Sequence, residues 1–274
     1  MKAPAFDYVR PASLDEAQAL LAGSDGAKLL AGGQSLGPML NLRLARPALL
    51  VDISRLDVLT EIGEAPEAWR IGAGVTHARL EDLGDRLAGA AMVGTVARGI
   101  AYRSVRTRGT IGGSIAHADP AADWPLALVA LGASIEIRTH DDTRVQPAER
   151  FVRAAFTTDL AADEIVNAVV VPKRSAQART GYFKFCRKAG EYPLVSAAVV
   201  LDRPSGFARI VMGALPSGPT ALPDLAETVL TGGAAAATET IVETAVAAAV
   251  PGLDPVALRM RASAVRRAIL QAYA

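Results

Sequence analysis

Along the first 172 residues, short apolar runs end in glycine or polar turns and alternate with longer alanine-rich stretches. Residues 27–31 form one such run and predict a strand that closes at Ala31-Gly32-Gly33-Gln34-Ser35-Leu36. Residues 36–44 have the spacing of a short helix interrupted at Gly37-Pro38, and residues 47–53 are apolar enough for a buried strand. That order predicts a small α/β unit. Residues 69–74 alternate as a strand does, and Thr76 is placed to cap the helix after it. Residues 87–100 and 123–131 predict packed helices. Residues 133–138 and 164–171 predict strands, the second stopped by Pro172.

The polar stretch 173–179 reads as a linker. Beyond it, residues 181–187, 194–202 and 207–215 predict three antiparallel strands joined by short turns. Residues 236–250 and 254–274 are alanine-rich and helical, with Asp254 as N-cap and Pro255 at the first helical position. Val256, Val265 and Ile269 give the last helix a core-facing stripe. Strands followed by helices predict an α+β domain packed against the first one.

Composition narrows the function. A length of 274 residues suits one large or two moderate domains, and 51% hydrophobic with 21% charged residues is ordinary for a globular chain. A formal net charge of +1 gives no nucleic-acid footprint. No apolar run approaches the ~20 residues of a membrane span. The N-terminal residues lack the apolar core of a secretory signal, so the expected compartment is cytoplasmic. The single Cys186 excludes an intrachain disulfide and an iron–sulfur cluster held by this chain alone. His77, His117 and His140 are dispersed and suggest no metal site. Redox chemistry here calls for an organic cofactor.

Two glycine pairs carry the strongest chemical signal. The first is Ala31 to Leu36; the second is Thr110-Ile111-Gly112-Gly113-Ser114-Ile115, running on through His117 to Asp123. Paired glycines beside a hydroxyl allow turns with positive φ and close approach of a ligand, and bare N–H groups there suit phosphate. Neither loop matches the dinucleotide fingerprint G-x-G-x-x-G or the P-loop. Singly, each has a plain alternative. Gly32-Gly33 suits a β-turn, Gly112-Gly113 a bulge, His117 a surface position, and Asp123 a helix cap. Together they are best explained by a dinucleotide diphosphate.

The chain resembles, almost end to end, the FAD-binding medium subunit of the molybdenum hydroxylases, the group of carbon monoxide dehydrogenase and xanthine dehydrogenase. The motifs that carry the resemblance are the two glycine loops, Lys184-Phe185-Cys186-Arg187-Lys188, and Glu191-Tyr192-Pro193-Leu194. Gln34 departs from the histidine often found there, but keeps hydrogen-bonding ability. The resemblance implies an α+β fold. A two-part FAD domain of the vanillyl-alcohol oxidase and p-cresol methylhydroxylase type would span residues 1–173, with subdomains of about 1–56 and 57–173. A smaller α+β domain with a three-stranded antiparallel sheet would span residues 179–274. It further implies that Ala31, Gly32, Gly33, Gln34, Ser35 and Leu36 wrap the adenosine diphosphate half of non-covalent FAD. Thr110, Ile111, Gly112, Gly113 and Ser114, with His117, would approach the diphosphate and flavin. Asp123 would bond the ribityl chain, Lys184 would lie near the flavin, and Tyr192 against its ring. Tyr182, Phe183 and Phe185 have the simpler reading of core residues.

By the same resemblance the partners are a large molybdopterin-binding subunit and a small [2Fe-2S] subunit, in a dimer of heterotrimers. Electrons would pass from iron–sulfur clusters through FAD to NAD, oxygen or a quinone. No catalytic residue and no metal site are assigned to this chain. Two alternatives stay open: a self-contained flavin oxidoreductase using Lys184, His117 or Tyr192 as acid or base, and a flavin-free interaction protein.

Overall fold

The computed structural model describes residues 2–140 and 142–274. Three parallel strands open the chain, with Leu49–Asp52 between Asp7–Val9 and Lys28–Leu30. The middle of the chain builds a five-stranded antiparallel sheet in the order Ile62–Glu64, Ala68–Gly72, Ile165–Pro172, Ser134–Arg138 and Thr143–Pro147. The last third builds Arg179–Phe185, Val195–Asp202 and Phe207–Gly213 into a second antiparallel sheet. A two-residue strand, Thr220–Ala221, joins its edge as a fourth, where the sequence predicts three.

Helix Asp123–Leu131 holds these layers together. All nine of its residues are buried, so it reads as apolar all round rather than amphipathic. It shares one core with the middle sheet and with Ala198, Val200 and Val211 of the last sheet. The opposite face of that sheet, Val199, Leu201, Ile210 and Met212, packs on the C-terminal helices. Every residue of Val195–Asp202 is therefore buried. The stretch 173–179 is not a free linker. Arg174 donates to the Leu131 carbonyl and stacks on Phe207, and Ser175 bonds Asp202.

Several local expectations change. Helix Leu36–Asn41 is not interrupted by Gly37-Pro38, because both lie in its first turn, where a missing N–H breaks little. The second glycine loop is not a turn: Ile111–His117 is a helix, and Thr110 caps it by accepting the Gly113 N–H. The last helix, Pro255–Ala272, starts at the predicted Asp254 cap and buries Val265 and Ile269, whereas Val256 is exposed. Phe185 is exposed rather than core, since it ends its strand at the surface; Phe183 packs against the C-terminal helices. Helix Leu14–Ala22 lies outside the predicted elements, although Ser13 caps it and Glu16 reaches back to the Ala12 N–H. Helix Pro223–Gly232 and the short strands Asp7–Val9, Ile62–Glu64 and Thr143–Pro147 are likewise outside them.

Candidate functional site

A cavity of about 850 Å³ lies between the parallel sheet, the middle unit and a loop of the last unit. Its walls include residues that follow the carboxyl ends of two parallel strands: Ala31 to Leu36 after one, and Ile53, Ser54 and Arg55 after the other. Open α/β sheets bind ligands at that edge.

The two glycine pairs divide their labour in the same way. A Cβ on Gly32 would lie 2.0 Å from the Arg108 carbonyl oxygen, and one on Gly112 would lie 2.4 Å from the Ala73 Cβ. Both first glycines are forced by packing: they let backbone from different segments touch. The second glycines line the cavity and meet only side chains, a Cβ on Gly33 lying 3.2 Å from Leu30 Cδ1. Gly33 has φ +70°, and a Cβ on Gly113 would press only on the Thr110 hydroxyl, at 2.8 Å.

The backbone donors differ between the loops. Among the described residues, no hydrogen bond within the chain uses the N–H of Gly33, Gln34, Ser35 or Leu36, so the first loop is a bare cradle. In the second loop the donors are taken. Ile111 donates to Val75, Gly112 to Ala73, Gly113 to the Thr110 hydroxyl and Ser114 to the Thr110 carbonyl. The expectation of bare N–H groups in both loops holds only for the first. The second offers space, hydroxyls and a helix end.

Asp123 does not cap its helix. Ala122 is the N-cap, and no side chain caps this end. Instead the carboxylate, 6% exposed, accepts from the Tyr182 hydroxyl and, at 2.7 Å, from Lys184 Nζ, both on Oδ1. Among the described residues, none donates a hydrogen bond to its Oδ2. Burial, with Asp123 alongside, pushes the Tyr182 phenol well above its usual range, so it remains a donor. Lys184 is 15% exposed at its side chain.

His77 lies beneath the cavity. Its Nδ1 accepts from Trp124 Nε1 at 3.1 Å, and burial, with Arg106 adding to it, lowers its pKa to about 4. An unfolded chain takes up this proton near pH 6.5, whereas the folded chain refuses it until about pH 4. Stability contributed by neutral His77 is therefore complete above pH 6.5 and falls as pH drops toward 4, by up to about 3 kcal/mol. Urea unfolding at pH 7 and pH 4.5 is expected to lose less stability in His77→Asn than in the wild type. Equal losses would refute the assignment.

Tyr192 is exposed and lines the cavity together with Ser35 and Asp119. Burial of its hydroxyl end, then Asp119, raises its pKa. His117 is half-buried, packs on Phe156 with centroids 5.2 Å apart, and has its pKa lowered by burial.

Of the residues singled out from sequence, Ala31 to Leu36, Thr110, Gly112, Gly113, Ser114, His117, Asp123 and Tyr192 line one cavity. Ile111 does not; its side chain is in the core. Lys184 does not line it either, and reaches it through Asp123. Sequence reading missed His77 and Asp119, which line the cavity, and Tyr182, which sits behind Asp123. Only Asp119 had a signal, its place between His117 and Asp123.

A cavity at the carboxyl ends of parallel strands, with a bare N–H cradle and a buried carboxylate opposite, defines a dinucleotide-cofactor-binding protein. The family model for the FAD binding domain in molybdopterin dehydrogenase matches residues 4–174, and the chain belongs to that family. The nicotine 6-hydroxylase medium subunit of Paenarthrobacter nicotinovorans is 38% identical over 235 residues, 85% of this chain and 82% of its own. The carbon monoxide dehydrogenase medium chain of Hydrogenophaga pseudoflava is 37% identical over 222 residues, 80% of this chain and 77% of its own. A chain in the crystal structure of quinoline 2-oxidoreductase from Pseudomonas putida 86 matches with a TM-score of 0.88 at 32% identity, covering 100% of this chain and 99% of that one. This is an FAD-binding medium subunit of the molybdenum hydroxylase type, an oxidoreductase component. Among the described residues, no helix is long and apolar enough to cross a membrane.

Proposed function

We propose that this chain is the electron-carrying subunit of a molybdenum hydroxylase complex. It would take electrons from a [2Fe-2S] partner, while a large molybdopterin subunit oxidises the substrate, and deliver them to NAD, oxygen or a quinone. One observation carries the reading: both glycine loops, Asp123 and Tyr192 line the same cavity. The cavity volume lies within the range of about 300–1,000 Å³ usual for cofactor sites. FAD, when bound, exchanges single electrons with one partner and pairs with another. The chain's own residues hold it. The N–H groups from Gly33 to Leu36, with Ser35, would hold the diphosphate. Gly113 would leave room for it, and Asp123 Oδ2 would accept from ribityl hydroxyls. Tyr192 would lie near the flavin and tune it.

Two of the three groups available for independent catalysis have partners within the chain. Lys184 is ion-paired with Asp123, and His117 is packed on Phe156. That weighs against a self-contained flavin enzyme. Dissociation of the native complex is the test. Flavin is expected with this chain, iron and molybdenum are expected in the other fractions, and the metal-free chain is expected not to turn over substrate. Substrate turnover by the metal-free chain would overturn the proposal.

Tyr192→Ala is expected to alter the flavin spectrum, potential or reoxidation rate while retaining the cofactor. All three unchanged would remove Tyr192 from the ring's surroundings.

A further inference from the structure

Helix Leu36–Asn41 ends in a tight reversal far from ordinary choices of residue. Arg43 donates its N–H to the Leu40 carbonyl at 3.0 Å, and Leu44 donates to the Met39 carbonyl at 2.8 Å. These are the paired bonds of a Schellman ending, with Arg43 at the left-handed position, φ +59°. Glycine takes that conformation without steric cost, and arginine does not. The side chain there does little for the fold. Arg43 Nε reaches only the Lys2 carbonyl, at a long 3.4 Å.

The reversal also holds apolar surface in the open. Leu42 is 53% exposed and Leu44 is 72% exposed, the highest value among the exposed large hydrophobic residues described. From Gly26 to Val51 the chain contains Lys28, Arg43 and Arg46 and no acidic residue. Among the described residues, no carboxylate pairs with Arg43 or Arg46; both donate to backbone carbonyls. A local rule broken without local benefit points to function elsewhere.

We infer that residues 42–46 form a docking tip, in which Leu42 and Leu44 enter an apolar pocket rimmed by carboxylates on another subunit of the complex. Charge decides the kind of partner. A second copy docked tip to tip would place Arg43 and Arg46 against their own copies across a two-fold axis. An acidic protein face neutralises them, and a charged rim around an apolar centre is the usual anatomy of such contacts. The tip is separate from the cofactor cavity: Leu36 and Met39 of the same helix line it, but Leu42, Arg43 and Leu44 do not.

The inference rests on the multi-subunit reading, and one experiment separates the two. The complex is purified with wild-type chain, with Leu42→Ser/Leu44→Ser, and with Arg43→Gly. Iron, molybdenum and flavin are then measured across a sizing column, and each free chain is melted. Wild-type chain free of metal-bearing partners would refute the multi-subunit reading and the tip together. With the wild type assembled, both variants are expected to bind the metal-bearing subunits at least about tenfold more weakly. Arg43→Gly is expected to do so without a lower melting temperature. Wild-type association in both variants would overturn the tip. So would a lower melting temperature in Arg43→Gly with unchanged association, because Arg43 would then serve only the fold. Loss of self-association, or of binding to anionic phosphatidylglycerol vesicles, with the complex intact, would assign the tip to another partner and overturn it too.

Discussion

Valine at position 113 is expected to empty the cavity of flavin while leaving the chain folded. Gly113 is helical, so a side chain there meets no backbone strain, and its Cβ would push only on the Thr110 hydroxyl. The rest of the valine enters the space proposed for the diphosphate. Gly112→Val is expected to behave in the opposite way. Its Cβ would strike the Ala73 Cβ at 2.4 Å and the Ala73 backbone at 2.8 Å, where the second loop joins the middle sheet. Overpacking typically costs about 1–3 kcal/mol, and more where backbone must move. A total stability of roughly 5–15 kcal/mol leaves little reserve. Flavin occupancy and urea unfolding on both variants decide the matter. Full occupancy in Gly113→Val, or a normally stable Gly112→Val, would reverse the division of roles. Gly33→Val is a less clean probe, since φ +70° strains any side chain there.

Asp123→Ala is expected to weaken both the cofactor site and the junction with the C-terminal unit. Removing the carboxylate leaves Lys184 Nζ largely buried without its partner, for which about 3–5 kcal/mol of stability is typical. Loss of the Oδ2 acceptor is expected to weaken FAD binding by about 1–3 kcal/mol, or roughly 5- to 150-fold in Kd. Tyr182→Phe removes one donor and keeps the ring, so a stability loss of about 1 kcal/mol is expected. Calorimetric FAD titration alongside unfolding separates the two effects. Unchanged FAD affinity in Asp123→Ala would leave Asp123 as a domain tie alone.

Much of the local structure was legible because its causes lie within a few residues. Thr76 and Asp254 cap their helices through their own side chains, and both positions read directly from spacing. The strands at Ile165–Pro172 and Val195–Asp202 announce themselves as β-branched runs because both faces are buried. The three-residue strands Asp7–Val9 and Ile62–Glu64 were not legible, since neither forms an apolar run as Lys28–Leu30 does, and so short a segment carries no measurable period. The second glycine loop read as a turn because glycine signals one. The Thr110 cap and the packing of Gly112 on Ala73 made it a helix instead.

The sequence by itself determined the two glycine motifs, the long strands of the middle and last sheets, the lack of thiolates for a cluster, and the family to which these belong. Each is a property of nearby residues or of composition. Only the tertiary structure decided which glycine of each pair opens to the cavity, because that depends on the backbone brought against it from Arg108 or Ala73. It likewise turned Asp123 from a plausible cap into a tie to Tyr182 and Lys184, 59 and 61 residues away along the chain. The same holds for the lowered pKa of His77, which follows from burial beneath Trp124. Desolvation and long-range hydrogen bonds are set by how sheets and helices stack, and no local pattern encodes them.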